Sequence, residues 1–396
     1  MIDTSLLYEQ KPITLDKKEC FLDTPLSFRT LKNCVVAGET FGGVFDENKC
    51  FIDGTGLHSG DNRPAIFDEN KKVVKSQDKI IYLGAFIGVW GHVITDCISR
   101  VWFLKELRKQ FPDHKLCYVP FHNFEFKGTI TTIFEYLGVS VNELHEINGW
   151  QEFSEIIIPD RCFDSRTGFD RYFTPEYVEL INQIKSHAKS NDKLNFKKVF
   201  LTYANFKKWK THGEKKLEKF FKEQGYEIIA PEKYTFDEQL SIFANCECLA
   251  STIGSCAHNS IFLREKANLI LIPRGNYVTE YQSTLNHVND LNVTYIDSHL
   301  SVFTSKSDPW VGPYYYYVSE NLLSYFGYDR SYYKDYIKYN FKDFKKYTLA
   351  ALKHGTLTNH QECETYENIL TAYLKEQKEN SFIQKLKNLV KRILKK

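Results

Sequence analysis

Residues 248–273 read CLASTIGSCAHNSIFLREKANLILIP. Cys248-Leu249-Ala250-Ser251 predicts a short buried strand, and Gly254 among small residues predicts a tight turn. Ser255 to Arg264 predicts a helix, and Leu269-Ile270-Leu271-Ile272, closed by Pro273, predicts a second strand. Strand, turn, helix and strand in so short a span make the repeating unit of a doubly wound parallel sheet. The same alternation runs upstream. Val199-Phe200-Leu201-Thr202 and Glu227-Ile228-Ile229 predict strands. Glu214 to Gln224 predicts a helix stopped by Gly225, and Phe236 to Asn245 a helix with Thr235 as N-cap.

Ahead of this unit, the polar stretch Ser186 to Lys198 reads as a linker, and before it stands another alternation. Lys79 to Leu83, Leu116 to Val119 (closed by Pro120) and Ile156 to Ile158 (closed by Pro159) predict buried strands. Residues 92–111 predict a helix, with Ile94, Ile98, Val101, Trp102 and Leu104 on one stripe. Residues 129–137 and Pro175 to Lys189 predict two more, the last with proline at a favoured first position. Strands alternating with helices predict parallel pairing and an α/β fold class. Residues 1–75 are turn-rich, and no strand is placed there.

Length and composition agree with a multi-domain globular chain. The 396 residues are 42% apolar and 26% charged, enough apolar surface for a large core. Basic and acidic residues number 52 and 50. That near balance argues against nucleic acid as a partner, since such binders carry a basic excess. No apolar run reaches the length of a membrane span, and the Met1-Ile2-Asp3-Thr4 start has no signal-peptide pattern. The 10 cysteines form no CxxC pair or zinc spacing, so reduced thiols in the cytoplasm are expected.

Four stretches hold residues suited to chemistry. Gly91-His92-Val93-Ile94-Thr95-Asp96 falls at a strand-to-helix junction. On a helix His92 and Asp96 lie one turn apart on one face, where carboxylate and imidazole together make a general base. Arg100 continues that face and pairs with Asp96 or holds an anion. A helix cap with an ordinary polar pair is the plainer account. At Gly254, Ser255, His258, Asn259 and Ser260, small residues and a helix N-terminus suit a diphosphate, against the alternative of a tight turn with a serine cap. The basic stretch containing Lys207 and Lys210 leaves the carboxyl end of a strand, in reach of a phosphate or simply on a solvated face. Glu238 and Gln239 open a helix, where they complement its dipole or contact a nucleoside or sugar.

The end of the chain is different in character. Phe382, Ile383, Leu386, Leu389, Val390, Ile393 and Leu394 recur at helical spacing among six Lys and Arg and no acid. A basic amphipathic helix over 381–396 reads as an element of an anionic membrane surface. Residues 303–347 are crowded with aromatics. Tyr314 to Tyr317 cannot all point one way, so some of them are expected to be exposed or at an interface.

Taken together these motifs resemble glycosyltransferase family 61, in its bacterial capsule and lipopolysaccharide branch. The resemblance rests on Gly91-His92, Asp96, Arg100 and Trp102, then on Leu217 through Gly225-Tyr226, Pro231-Glu232 and Phe236-Asp237-Glu238-Gln239, then on the strand and turn at Gly254. It covers about residues 80–300 and is strongest over 199–275. It implies a GT-B-like architecture, two Rossmann-like domains facing a central cleft, with a C-terminal helical extension.

On that resemblance, residues 1–190 form the acceptor domain and 195–300 the nucleotide-sugar domain. Residues 301–380 form an aromatic-rich helical return, and 381–396 the membrane-surface helix. The implied activity is an inverting, metal-independent transfer of a sugar to a glycan or lipid-linked glycan acceptor, in capsule or lipopolysaccharide synthesis. It would take place in the cytoplasm, on the inner face of the cell membrane. No cofactor is expected beyond the nucleotide-sugar co-substrate, a UDP-sugar first and a CMP-sugar as alternative. Asp96 is the expected base or its orienting partner, with His92 as the competing assignment. Gly254, Ser255, His258, Asn259, Ser260, Glu238 and Gln239 are expected at the donor.

Two departures stand out. The turn keeps a glycine and an asparagine but moves the histidine, and Thr202-Tyr203 stand where the family carries an arginine, leaving Lys207 or Lys210 to compensate. The alternatives are therefore another GT-B-like transferase (one adding a sialyl, Kdo or pyruvyl group) or a non-catalytic membrane-associated scaffold with a degenerate site.

Overall fold

A computed structural model describes residues 2–6, 16–39, 42–56, 66–121, 124–165, 171–204, 211–274, 280–299 and 314–329. Lys207, Lys210 and the segment 381–396 lie outside the described residues, as does most of 301–380. The chain divides into two compact units. One takes Met1–Tyr203, Glu218–Pro273 and Val278–Asp297, and the other Ala204–Leu217, Arg274–Tyr277 and Ser298–Lys396.

Within the first unit, β1 (Ile2–Leu6) opens the chain and forms the edge of the second of two six-stranded sheets. The first sheet is built from β2 (Phe28–Gly38), β3 (Val44–Phe45), β4 (Val73–Ile87), β5 (Lys115–Phe121), β6 (Leu144–Glu146) and β7 (Gly149–Pro159), in the order β3-β2-β7-β4-β5-β6. β4 pairs in parallel with β5 and with β7, and its last eight residues are all buried.

The all-parallel expectation fails on the other side of β7, where β2 runs antiparallel. β2 also corrects the reading that left residues 1–75 without strands. Its first half is largely exposed and only Cys34–Gly38 is buried. Its exposed first half leaves only a short apolar run, too brief for a sequence reader to take as a strand. Pro120 does not close its strand but sits inside β5, opposite Phe86 of β4. The β6 partner stops at Tyr118, so the missing N–H of proline leaves no ladder bond unmade on that side.

A small antiparallel pair, β8 (Phe163–Ser165) and β9 (Arg171–Phe173), follows. Then come β10 (Lys198–Leu201), β11 (Thr211–His212), β12 (Glu227–Ile229), β13 (Cys248–Thr252), β14 (Asn268–Ile272) and β15 (Asn292–Ile296). The second sheet has the order β1-β15-β14-β13-β10-β12, with every pairing parallel. Its unbroken apolar runs are what burial on both faces demands. The helix Phe236–Asn245 starts where the sequence puts it, with Thr235 and Glu238 in a reciprocal capping box. Aromatic contacts tie the layers together, Trp90 packing against Phe236 and Phe262 at 6.0 and 6.4 Å.

In the second unit, β11 pairs in parallel with β16 (Tyr314–Tyr315). The Arg274 guanidinium lies 4.6 Å over the Tyr314 ring. Tyr314, Tyr315 and Tyr316 are all buried and Tyr317 is half-buried. The expectation of exposed tyrosines is thus corrected, because strand pairing and a bridge from Tyr316 to His299 enclose both faces of this short segment.

Two expected helices take another form, and both lie where the chain leaves a strand end. Residues 92–111 are not one helix. Trp90–His92 is a single α turn, Val93–Cys97 is π-helical, turns follow, and Leu104–Gln110 is α-helical. Hydroxyls intervene in the ladder: Thr95 Oγ1 donates to Gly91 O at 2.8 Å, and Ser99 Oγ to Asp96 O at 2.8 Å. The expected helix over 255–264 is instead a 3₁₀ turn, Ala257–Phe262. Its carbonyls are taken three residues on, Cys256 O by Asn259 N and Ser260 O by Leu263 N, while Asn259 Nδ2 also donates to Cys256 O.

Candidate active site

β4 delivers the Gly-His segment to its carboxyl end, and β13 delivers the Gly254 segment to its own. The two meet. A Cβ placed on Gly91 would stand 2.7 Å from His258 Nδ1 and 3.7 Å from Ser255 Oγ. No side chain fits there, which accounts for the glycine ahead of His92. Gly254 is needed for a different reason, its backbone φ of 141° being one that L residues rarely adopt.

His92 Nδ1 lies 2.5 Å from Asp96 Oδ2. The imidazole is 24% exposed and the carboxylate 2%, so the histidine faces out and the aspartate stands behind it. Burial depresses the imidazole pKa, but the hydrogen bond and charge of Asp96 together outweigh it, and the net shift is upward from 6.5. Asp96 Oδ1 accepts no hydrogen bond, and Arg161 Nη1 stands 3.7 Å from it. The π-helical turn is pinned from behind. Tyr177 Oη donates to Ile94 O at 2.7 Å, and Tyr281 Oη donates to Gly91 O at 3.2 Å while also bonding Thr95 Oγ1. With the carboxylate holding Nδ1–H, the lone pair on Nε2 is the one left to take a proton.

Arg100 is not on the same surface as His92. It is buried, donating from Nη1 to Pro159 O and from Nη2 to Gly54 O at 2.5 Å. Burial, with Arg161 nearby, lowers its pKa to about 9, still high enough to keep it charged at neutral pH. It does not pair with Asp96; Arg161 takes that place. Sequence reasoning passed over Arg161, although it follows the carboxyl end of β7, the part of an open sheet where ligands gather. Tyr281 was also missed, and no pattern around it points to a site.

The second segment is mostly turned inward. His258, Asn259 and Ser260 are buried. Ser260 Oγ accepts from Gln282 Nε2 at 3.3 Å, and the His258 ring lies 5.0 Å from that of Tyr281. The backbone N–H of Cys256 donates to Tyr203 Oη, and that of Ala257 to Gly254 O. Gly254 and Ser255 remain half-buried at the open edge. Glu238 and Gln239 are occupied elsewhere. Glu238 closes the capping box, and Gln239 Nε2 donates to Pro231 O and Tyr234 O at 2.9 and 3.1 Å. Among the described residues, no group of three or more His, Cys, Asp or Glu side chains is placed to hold a metal ion.

The family model described as Glycosyltransferase 61 matches residues 90–270, a little under half of the chain. That span begins at the Gly-His segment and ends in β14. The match supports a glycosyltransferase family 61 protein, and with it transferase activity. No curated protein matches the chain.

Proposed function

We propose that the protein is an inverting, metal-independent glycosyltransferase. It would move a sugar from a nucleotide-sugar to a glycan acceptor in bacterial surface polysaccharide synthesis, capsule or lipopolysaccharide. The observation that carries the reading is the 2.5 Å contact of His92 with a buried Asp96 at the carboxyl end of β4, inside the family-matched span. His92 is the base and Asp96 its orienting partner. Nε2 takes the proton of the acceptor hydroxyl as its oxygen attacks the anomeric carbon. The bond from that carbon to the phosphate oxygen breaks, its electron pair leaves with the nucleotide, and the anomeric configuration inverts.

In this reading the first sheet carries the acceptor and the second the donor, the division a GT-B-like layout makes. Gly254 and Ser255 form the donor's phosphate edge, with Lys207 and Lys210 as further candidates. The occupied N–H groups of Cys256 and Ala257 leave fewer donors for phosphate. That favours keeping a CMP-sugar, with its single phosphate, beside a UDP-sugar. The basic segment 381–396 would hold the enzyme on an anionic membrane surface near a lipid-linked acceptor. Deleting it lowers liposome binding, most at low salt, and unchanged binding removes this part of the proposal.

The test of the function is thermal stability against UDP-, GDP-, CMP- and dTDP-nucleotides, with and without a chelator. A true donor site at a hundred times its Kd adds about 2.7 kcal/mol. A base-selective rise that survives the chelator is the expected result. No rise with any nucleotide, from folded protein, overturns the transferase reading in favour of a scaffold. A rise abolished by the chelator overturns metal independence alone.

A further inference from the structure

We propose that the cleft behind Asp96, lined by Arg29, Arg100 and Arg161, binds an oxyanion, a carboxylate or phosphate carried by the acceptor. The inference rests on the transferase reading for the word acceptor, but not for the anion. The cleft encloses about 220 Å³, with Asp53, Asp160 and Asp164 also on its walls. That is room for a sugar-acid headgroup but not for a whole nucleotide-sugar.

The balance of satisfied and unsatisfied groups sets the ligand's sign. Arg161 is 6% exposed and Arg100 2%. Arg161 spends Nη2 on Gly56 O at 2.7 Å, and its Nε and Nη1 make no hydrogen bond. Arg100 spends both terminal nitrogens on backbone carbonyls, and its Nε makes none. Buried guanidinium N–H groups without acceptors are costly, and an oxyanion is the partner they fit. The acids are differently placed. Asp160 Oδ2 already accepts from Ser27 N and Ser27 Oγ at 2.9 and 2.7 Å. Asp53 Oδ1 accepts from Gly54 N at 2.9 Å, and Asp164 is buried near Arg100, whose charge it supports. Among the buried side-chain atoms of the lining residues, those without a hydrogen bond are guanidinium nitrogens of Arg100 and Arg161, which is why a neutral sugar is a poorer occupant than an anion. Arg29 is exposed, donating to Asp53 O at 3.3 Å, and stands as the rim cation. Because Arg161 also faces Asp96 Oδ1 at 3.7 Å, an anion held there lies one residue removed from the His92 pair.

The full-length protein is to be tested with glucuronate, methyl phosphate and glucose, by calorimetry and thermal shift at low salt. The expected result is binding of one or both anions and not of glucose. Arg161→Gln should weaken the anion about tenfold or more, the loss of a charged hydrogen bond, while the nucleotide response stays intact. Glucuronate alone identifies a sugar acid as the source, and methyl phosphate alone a phosphorylated or lipid-linked acceptor. Equal response to glucose, no response to either anion, or an unchanged anion affinity in Arg161→Gln overturns the proposal. Should Arg161→Gln lose its native circular dichroism, the exposed Arg29→Gln decides. A roughly threefold weakening supports the site, and no change overturns it. Anion binding without any nucleotide response keeps this site and removes the transferase reading; the converse removes only this site.

Discussion

Two segments leave carboxyl strand ends and meet at Gly91, yet they spend their polar residues in opposite ways. In residues 90–100 the chain abandons the regular α ladder, and the distortion brings a partly exposed imidazole onto a buried carboxylate. In residues 253–262 the chain also abandons the α ladder, but its Ser, Asn and backbone N–H groups close on the protein itself. Both look equally polar in sequence. What separates them is where the hydrogen bonds end: a group whose partner is its own fold is a wall, and one backed by a charge and left open is a reagent. In the proposed transfer the first segment would supply the base and the second mostly shape.

Substitutions can break this contrast, and the largest effect belongs to His92. His92→Gln should lower transfer by about 10²–10⁴-fold, the range for removing a general base, with nucleotide affinity and melting temperature nearly unchanged. Retained turnover would return the role of base to Asp96. Asp96→Asn comes next. An amide can present either a donor or an acceptor to Nδ1, so the tautomer is no longer enforced, and a loss on the order of 10²-fold is expected. The pH profile separates the two residues. The base works when neutral, so activity falls as pH drops through the His92 pKa, which Asp96 raises above 6.5 in the native protein. Without the carboxylate only the lowering by burial remains, and the acid limb of kcat/KM should move below 6.5. A limb that stays in place would refute the assignment.

Gly91→Ala tests the contact between the segments. Its Cβ would stand 2.7 Å from His258 Nδ1, and overpacking of that kind costs about 1–3 kcal/mol, read as a lower melting temperature. An alanine accepted without loss would mean that the two segments do not abut as described.

Much of this was legible in the sequence, and the exceptions have physical causes. The second sheet could be read almost strand by strand, because parallel strands buried on both faces carry unbroken apolar runs such as Leu269 to Ile272. The Thr235 cap was legible because its signal is local. β2 was not, since its first half is largely exposed and only the short run Cys34–Ala37 is apolar and buried. The contact of His92 with Asp96 was legible from their four-residue spacing, though the spacing did not choose a base between them; the proposed assignment leans on exposure. Arg161 pairs with Asp96 across many intervening residues, and a tertiary contact of that kind has no sequence signature. At Glu238 and Gln239 the sequence left a helix start and a ligand contact open; in the structure Glu238 caps Thr235 and Gln239 donates to two loop carbonyls.

That last point yields the smallest and most discriminating prediction. Asn259→Ala removes the Nδ2 bond to Cys256 O and should cost about 1–2 kcal/mol. Glu238→Ala opens the capping box at Thr235 N and should cost about 0.5–1 kcal/mol. Neither should change the turnover of bound substrate, because neither side chain reaches the His92 pair in the hydrogen-bond network. Glu238 is half-buried at the start of its helix, so a nucleoside contact is a concrete rival to the cap. The two accounts differ in one observable. If Glu238 is only a cap, Glu238→Gln, which keeps a side-chain acceptor for Thr235 N, restores stability and leaves nucleotide affinity at the native value. If it holds a ribose or base, Glu238→Gln restores stability but weakens the nucleotide. In that case part of the second segment's neighbourhood would have to be moved from wall to reagent.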